Sequence, residues 1–376
     1  MKWEKVKLGN VTDSCLGKML DQNKNKGDYQ PYLANVNVRW GEFDLEDLPL
    51  MKFEESEQER YELKYGDLVI CEGGEPGRCA IWKEQIPNMK IQKALHRVRV
   101  HDCLDYRYLF YWFLLAGKTG ELDQYFTGAT IKHMPGQKLK EVVIDKPPLE
   151  IQHRIADIPS AYDDLIENNQ KQIKLLKEAA QRLYKEWFVD LHFPGHENTK
   201  IVDGVPEGWR RGLLKELISV NYGKDHKKVP DDGNIPVYGS GGLMRKCNKS
   251  LFSGEAVLIP RKGSLNNIMY VDETFWTVDT MFYATMKQPH TAVFVYFFVK
   301  AFDMYSMNIG AAVPSMTTKI LDAMDVVIPD KETLEKFDKY AKVYFNKIKT
   351  LQGQNEQLKT ARDLLLPKLM SGEVEV

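Results

Sequence analysis

The stretch LEIQHRIADIPSAYDDLIENNQKQIKLLKEAAQRLYKEWF, residues 149–188, decides the fold. Apolar or small residues at Ile155, Ile158, Tyr162, Leu165, Leu176, Ala179 and Leu183 recur in steps of three and four, with Asn169 and Gln172 in the same register. Lys, Glu, Gln, Asp and Asn dominate the other faces. The spacing predicts a long helix with a narrow apolar seam, and such a seam needs a partner helix to cover it. Pro159 has no N–H to donate, so a kink or a helix start at Ser160 is expected; from there to Phe188 the helix runs roughly 40 Å at about 1.5 Å per residue.

The partner is the chain's own end. In LEKFDKYAKVYFNKIKTLQGQNEQLKTARDLL, residues 334–365, the positions Phe337, Ala341, Tyr344, Ile348, Leu351, Asn355, Leu358 and Leu365 repeat the alternation. Leu176 matches Leu358, Ala179 matches Ala361 and Leu183 matches Leu365, each 182 positions apart. Two matched long helices half a chain apart signal an internal duplication.

The rest of the sequence carries the repeat. Trp3 aligns with Trp209, GDLVI at Gly66 with GEAVLI at Gly254, and GATI at Gly128 with GAAV at Gly310. The offset falls from 206 to 182 along this series, so the second body is shorter by 24 residues, all lost inside it. In the first body, YLANVNV, DLVICE, CAIWKE and LHRVRV read as strands and DYRYLFYWFLLAG as a helix, an α+β pattern with a mixed or antiparallel sheet. HFPGHENTKIVDGVPEG, rich in Pro, Gly and polar residues, reads as a linker. Two bodies alike at their edges and divergent in their interior loops suit two versions of one kind of ligand.

Composition narrows the choice of ligand and compartment. With 376 residues and 43% hydrophobic content the chain can build real cores. Lys+Arg of 52 against Asp+Glu of 53 leaves −1, which excludes a uniformly basic binder but not local basic patches. Five cysteines without a CxxC pair indicate neither a disulfide framework nor a zinc site. The longest apolar runs, LFYWFLLA and AVFVYFFV, are too short to span a bilayer, so a soluble cytoplasmic protein is expected.

No catalytic constellation emerges. Gly117-Lys118-Thr119 would end a phosphate-binding loop, but Trp112 stands where that loop needs glycine, and the stretch reads as a helix end. Pro329-Asp330 with Glu335 and Lys336 imitates a nuclease metal motif, yet it falls where the second long helix begins and reads as a solvated face. His192 and His196 have ligand spacing only on a helix, which Pro194 forbids.

What remains is a set of glycine-bearing polar loops. CEGGEPGRCAIW holds Arg78, and LIPRKGSLNNIMY holds Arg261, Lys262, Asn266 and Asn267 after the matching strand. TGATIKH contributes Lys132 and His133, its counterpart is IGAAVPS at 309–315, and PVYGSGGLMRKCNKS contributes Tyr238, Arg245 and Lys246. Singly these are ordinary turns. Their duplicated placement makes them candidates for a ligand that Arg reads at guanine, Asn at adenine and Lys at phosphate.

VPEGW before a body, PPLEIQ leading into the first long helix and LLPKLMSGEV at the end, taken in this order, resemble the specificity (S) subunits of type I restriction–modification systems across essentially the whole chain. The resemblance implies two similar α+β target recognition domains separated by two long conserved helices packed as an antiparallel coiled coil. The domains become 1–148 and 208–328, the helical segments 149–192 and 329–376, and the linker 193–207. It further implies a non-catalytic subunit that reads a split asymmetric sequence in double-stranded DNA, its helices spacing the readers and docking two methyltransferase (modification) subunits, with motor/endonuclease (restriction) subunits joining. No cofactor is expected in this chain; S-adenosylmethionine, ATP and Mg would belong to the partners. Two rivals are a methyltransferase with attached recognition domains, which the missing cofactor motifs disfavour, and a protein-interaction scaffold, whose binding would not depend on DNA sequence.

Overall fold

The structure, a computed structural model, describes residues 3–21, 25–307 and 315–374. The chain divides into two compact units: residues 1–168 with 354–376, and residues 169–353.

In the first unit β1 (Glu4–Lys7) leads to β2 (Thr12–Leu16), β3 (Asp28–Leu33), β4 (Leu50–Phe53) and the short α1 (Gln58–Tyr61). β5 (Leu68–Cys71), β6 (Cys79–Ile81), β7 (Lys90–Ile91) and β8 (Leu95–Val100) follow, then α2 (Tyr106–Thr119), α3 (Gly136–Glu141), β9 (Val143–Lys146) and the start of α4 (Leu149–Phe188). The main sheet has the order β2-β8-β5-β6, a second sheet the order β4-β3-β7, and β9 returns antiparallel to β1. The Asp105 side chain starts α2 by accepting the N–H groups of Arg107 and Tyr108 at 2.7 and 2.9 Å, and Gly120, left-handed at φ 77°, stops it. The cap glycine is therefore Gly120, with Gly117 inside the helix. α2 buries Tyr108, Leu109 and Phe113 against the sheet, at about 1.5–3 kcal/mol for each large side chain. YLANVNV is a strand only as far as Leu33: Asn37 Oδ1 accepts the Ala34 N–H at 2.9 Å and folds Asn35–Asn37 into a 3₁₀ turn.

The second unit repeats this plan. The segment read as a linker holds a two-residue hairpin of β10 (Ile201–Val202) and β11 (Val205–Pro206), turned by Asp203 and Gly204 at φ 51° and 74°. β12 (Arg210–Leu213), β13 (Ile218–Tyr222), β14 (Ile235–Gly239), β15 (Gly242–Cys247), β16 (Phe252–Pro260), β17 (Met269–Thr277) and β18 (Met281–Met286) follow, then α5 (Ala292–Lys300), α6 (Thr318–Asp322), β19 (Asp325–Ile328) and α7 (Lys331–Ser371). The sheet order is β13-β18-β16-β17-β14-β15, so its first four strands reproduce β2-β8-β5-β6, and β12·β19 reproduces β1·β9. Even single bonds recur. Met134 N–H donates to Glu72 O at 2.7 Å, and Met316 N–H, 182 positions on, to Arg261 O at 3.0 Å. The bodies diverge in the middle, where the first inserts its β4-β3-β7 sheet and the second appends the β14–β15 hairpin.

Both long helices are present and antiparallel within each unit. In the first, Arg362 on α7 pairs with Asp163 on α4, and Ile155 and Ala156 share a core with Leu366 and Leu369. In the second, Ile173 clusters with Ile348 and Leu351, and Trp187 lies 5.8 Å from Phe337. Of the kink or helix start expected at Pro159, the helix start is not found: α4 is helical from Leu149 with Pro159 inside it. An interior proline costs about 3 kcal/mol, but the residues before it are strongly held. Gln152, fully buried, donates to Pro147 O and Cys103 O and accepts from Asp105 N–H, while Ile155 and Ala156 are fully buried. The α7 register stands as read from Phe337 to Asn355, with Phe337, Ala341, Ile348, Leu351 and Asn355 buried and Tyr344 half-buried; beyond it Leu358 and Leu365 are only half-buried, and Leu366 is the residue fully covered. In α4 the seam beyond Tyr162 keeps Asn169 as expected, but Ile166, Ile173, Ala180 and Tyr184 are buried one residue later than the expected Leu165, Gln172, Ala179 and Leu183, and Trp187 continues the series, leaving Leu165 52% exposed. This series buries aromatic and β-branched side chains where the other would have buried Gln172.

Asp330 has a role the sequence reading overlooked. It caps α7, accepting Thr333 N–H at 2.9 Å, Thr333 Oγ1 at 2.6 Å and Trp209 Nε1 at 2.9 Å, while Glu335 and Lys336 face solvent.

Candidate nucleic-acid interface

In both units the loop after the central strand, β5 or β16, is tied to the residue before α3 or α6 by the Met134 and Met316 bonds. In the first unit Arg78 closes its own loop, donating to Glu75 Oε2 at 3.1 Å, Asn35 Oδ1 at 2.7 Å and Asn35 O at 3.2 Å. Burial raises the Cys71 thiol against the opposing pull of that guanidinium. The Thr127–His133 loop pinches shut through reciprocal backbone bonds of 2.7 and 2.9 Å and lies beside Gly73. At its outer side Lys132 and His133 are exposed, Lys132 standing 3.5 Å from Asp123 and 5.6 Å from the Phe126 ring. Beneath it His96 Nε2 meets Met134 O at 3.1 Å, and burial holds the ring below its ordinary pKa.

In the second unit the matching loop carries charge of the opposite sign, Arg261 and Lys262 where the first has Glu72 and Glu75. Arg261 lies over the rings of Tyr222 and Phe282, at 5.3 and 5.9 Å, and donates to Asp279 O. Lys262 is exposed. Asn266 is used internally, donating to Asp303 and accepting from Met304 N–H, and Asn267 donates to Ser240 O at 2.8 Å, joining the loop to the β14–β15 turn. Tyr238 donates to Glu273 Oε1 at 2.5 Å; burial and this bond raise its pKa. Arg245 donates to His226 O at 2.6 Å and Val229 O at 2.9 Å, and Lys246 beside it is exposed.

The ten candidates therefore fall into three sets. Arg78, Tyr238, Arg245, Asn266 and Asn267 shape loops, while Lys132, His133, Lys246 and Lys262 point outward and Arg261 lies flat on an aromatic shelf. Arg245 also fixes a basic run that the sequence reading missed, Lys224, Lys227 and Lys228, all exposed. The signal was present as KDHKK, but its placement depends on a pairing 16 to 19 residues away. The counterpart loop 309–315 falls, apart from Ser315, outside the described residues. Among the described residues there is no cluster of His, Cys, Asp and Glu fit to hold a metal ion, and no helix is long and apolar enough to cross a membrane.

Comparison with known proteins follows the same division. A model of the type I restriction modification DNA specificity domain matches residues 1–178 and again 206–360, two matches that end 182 positions apart. The MjaIX type I restriction enzyme specificity subunit of Methanocaldococcus jannaschii is 27% identical over 352 residues, 83% of this chain and 78% of that protein. The HindI specificity subunit of Haemophilus influenzae is 20% identical over 99% of both chains. The crystal structure of a type I restriction–modification S subunit from M. genitalium, 18% identical, aligns with a TM-score of 0.57 over 98% of this chain and 96% of that one, a likeness of fold.

Proposed function

Because the chain belongs to the type I restriction–modification DNA specificity family, we propose that each body lays its loop cluster on one half of a split, asymmetric duplex target. The chain is a non-catalytic DNA sequence-specificity subunit. The observation that carries the two-half reading is the duplicated loop: the same backbone bond fixes it in both bodies, while its side chains change from Glu72 and Glu75 to Arg261 and Lys262. A shared scaffold with divergent chemistry suits two different half-sites. Lys132, Lys246, Lys262 and the run Lys224–Lys228 serve as phosphate contacts, which position without specifying. Arg78, Arg245 and Asn267 serve by holding the loops that meet the bases.

The outer faces of α4 and α7 dock two methyltransferase subunits, and motor/endonuclease subunits join that assembly. S-adenosylmethionine, ATP and Mg are carried by those partners. The test is methylome sequencing of host DNA with and without this chain. A methylated motif of two specific halves around an unread gap, lost on deletion of the chain, is the expected result; an unchanged methylome, or a contiguous motif, contradicts it.

A further inference from the structure

The β14–β15 turn contains a glycine that the fold does not need. Gly242 is held at φ +111°, so that position demands glycine, while at Gly239 a Cβ would press only on the movable Met244 side chain. Gly241 has a φ outside the left-handed region, and a Cβ there would meet no atom within 4 Å. Next to it are Leu243 and Met244, 60% and 53% exposed, adjacent apolar side chains on the outermost strand of the sheet. The turn is held firmly: Asn267 donates to Ser240 O, Val278 N–H to Tyr238 O at 3.0 Å, and Tyr238 to Glu273. Exposed Lys246 follows on β15, and Lys262 belongs to the loop that Asn267 joins to the turn.

A rigid, two-stranded apolar tip with cations beside it has the shape and charge of a major-groove probe. That groove admits a two-stranded ribbon, phosphates line its rims, and thymine offers a methyl group on its floor. We propose that Ser240–Met244 enters the major groove of the half-site read by the second unit, with the Gly241 main chain close against base edges and Leu243 in apolar contact with them. The glycine is then imposed by the ligand. This rests on the DNA-reading function proposed above and assigns specificity residues within it.

The experiment uses the full-length chain, with Gly241→Ala, Gly241→Val and Leu243→Ala compared in selection from a random duplex library and in binding to the selected site. Thermal unfolding should stay unchanged for Gly241→Ala, because nothing occupies the space its methyl would fill. Specific affinity should fall at least tenfold for Gly241→Val and measurably for Gly241→Ala, with the loss confined to one half-site and unspecific DNA binding preserved. Leu243→Ala should relax the preference at one or more positions of that same half. Wild-type preference and affinity in Gly241→Ala and Leu243→Ala, or equal loss in both halves, would overturn the proposal. So would Leu243-dependent binding to anionic vesicles with DNA preference unchanged, which would make the tip a membrane contact. Absence of any sequence preference in the wild-type chain would instead bring down the DNA-reading function itself, and the tip assignment with it.

Discussion

Asp330 is where one substitution should cost the second unit most for its size. Burial alone would raise its carboxyl, yet the donors from Thr333 and Trp209 hold it below its ordinary value. Asp330→Ala removes the α7 cap, worth about 0.5–2 kcal/mol, and strands the indole N–H of a tryptophan that is only 7% exposed, at about 1–3 kcal/mol. The expected loss is about 1.5–5 kcal/mol. Asp330→Asn keeps an acceptor for Thr333 N–H but turns its NH₂ toward both Thr333 Oγ1 and Trp209 Nε1, of which the hydroxyl can turn to accept while the indole cannot, so the cap survives and about half the loss is expected. Hydrogen exchange read on peptides covering 208–213 and the first turns of α7 measures this locally, without assuming that the whole chain unfolds in one step. The folded pKa lies below the unfolded one near 3.9, so the carboxylate's contribution is complete above about pH 4 and lost as pH falls through the folded value. Asp330→Ala should flatten that acid limb. A loss under about 0.5 kcal/mol, the lower bound for a missing cap alone, or equal losses for Ala and Asn, would refute the reasoning. The repeat supplies a reciprocal control. Position 148, which matches 330, is proline, and the buried Trp3 Nε1 has no partner among the described residues. Pro148→Asp should therefore stabilise the first unit, by about 1 kcal/mol.

Gly353 stands inside α7 with open space around it, and Lys171 occupies the matching place in α4, so Gly353→Ala should raise stability by about 0.5–1 kcal/mol in denaturant unfolding. His96 is held neutral by burial, so its contribution is complete above about pH 6.5 and is lost as pH falls through the depressed folded value; His96→Gln should reduce the acid-induced rise in exchange of the first unit. Neutralising Lys246 and Lys262 should lower the slope of log affinity against log salt by about 1.8, and affinity at 0.15 M salt by roughly 30-fold, with the preferred sequence unchanged in a filter-binding series. Inserting one heptad in each long helix adds about 10 Å and should widen the unread gap by about two to three base pairs in the methylated motif. An unchanged gap would mean that the helices do not set it.

The helices and the duplication were legible because they are written as periodicities, which survive without knowledge of what packs on them. The register of α4 was half legible. Leu165 and Ile166 offer two equally spaced seams, and only the bulk of Tyr184 and Trp187, decided by packing, chooses between them. Pro159 misled for a related reason: its local cost is real, and the anchoring of Gln152 across residues 103, 105 and 147 is non-local. At the candidate interface the sequence singled out loops but not which of their donors remain free. Arg78, Arg245 and Asn266 look like readers in one dimension and hold carbonyls and carboxylates in three.

The account's central claim is that each body reads its own half of the target. A chimera in which residues 208–328 are replaced by the matching segment of a relative with a different motif, assembled with the same partner subunits and followed by methylome sequencing, tests it most directly. The predicted motif keeps one half and the gap and exchanges only the other half. A motif altered in both halves, or unchanged in both, would contradict it.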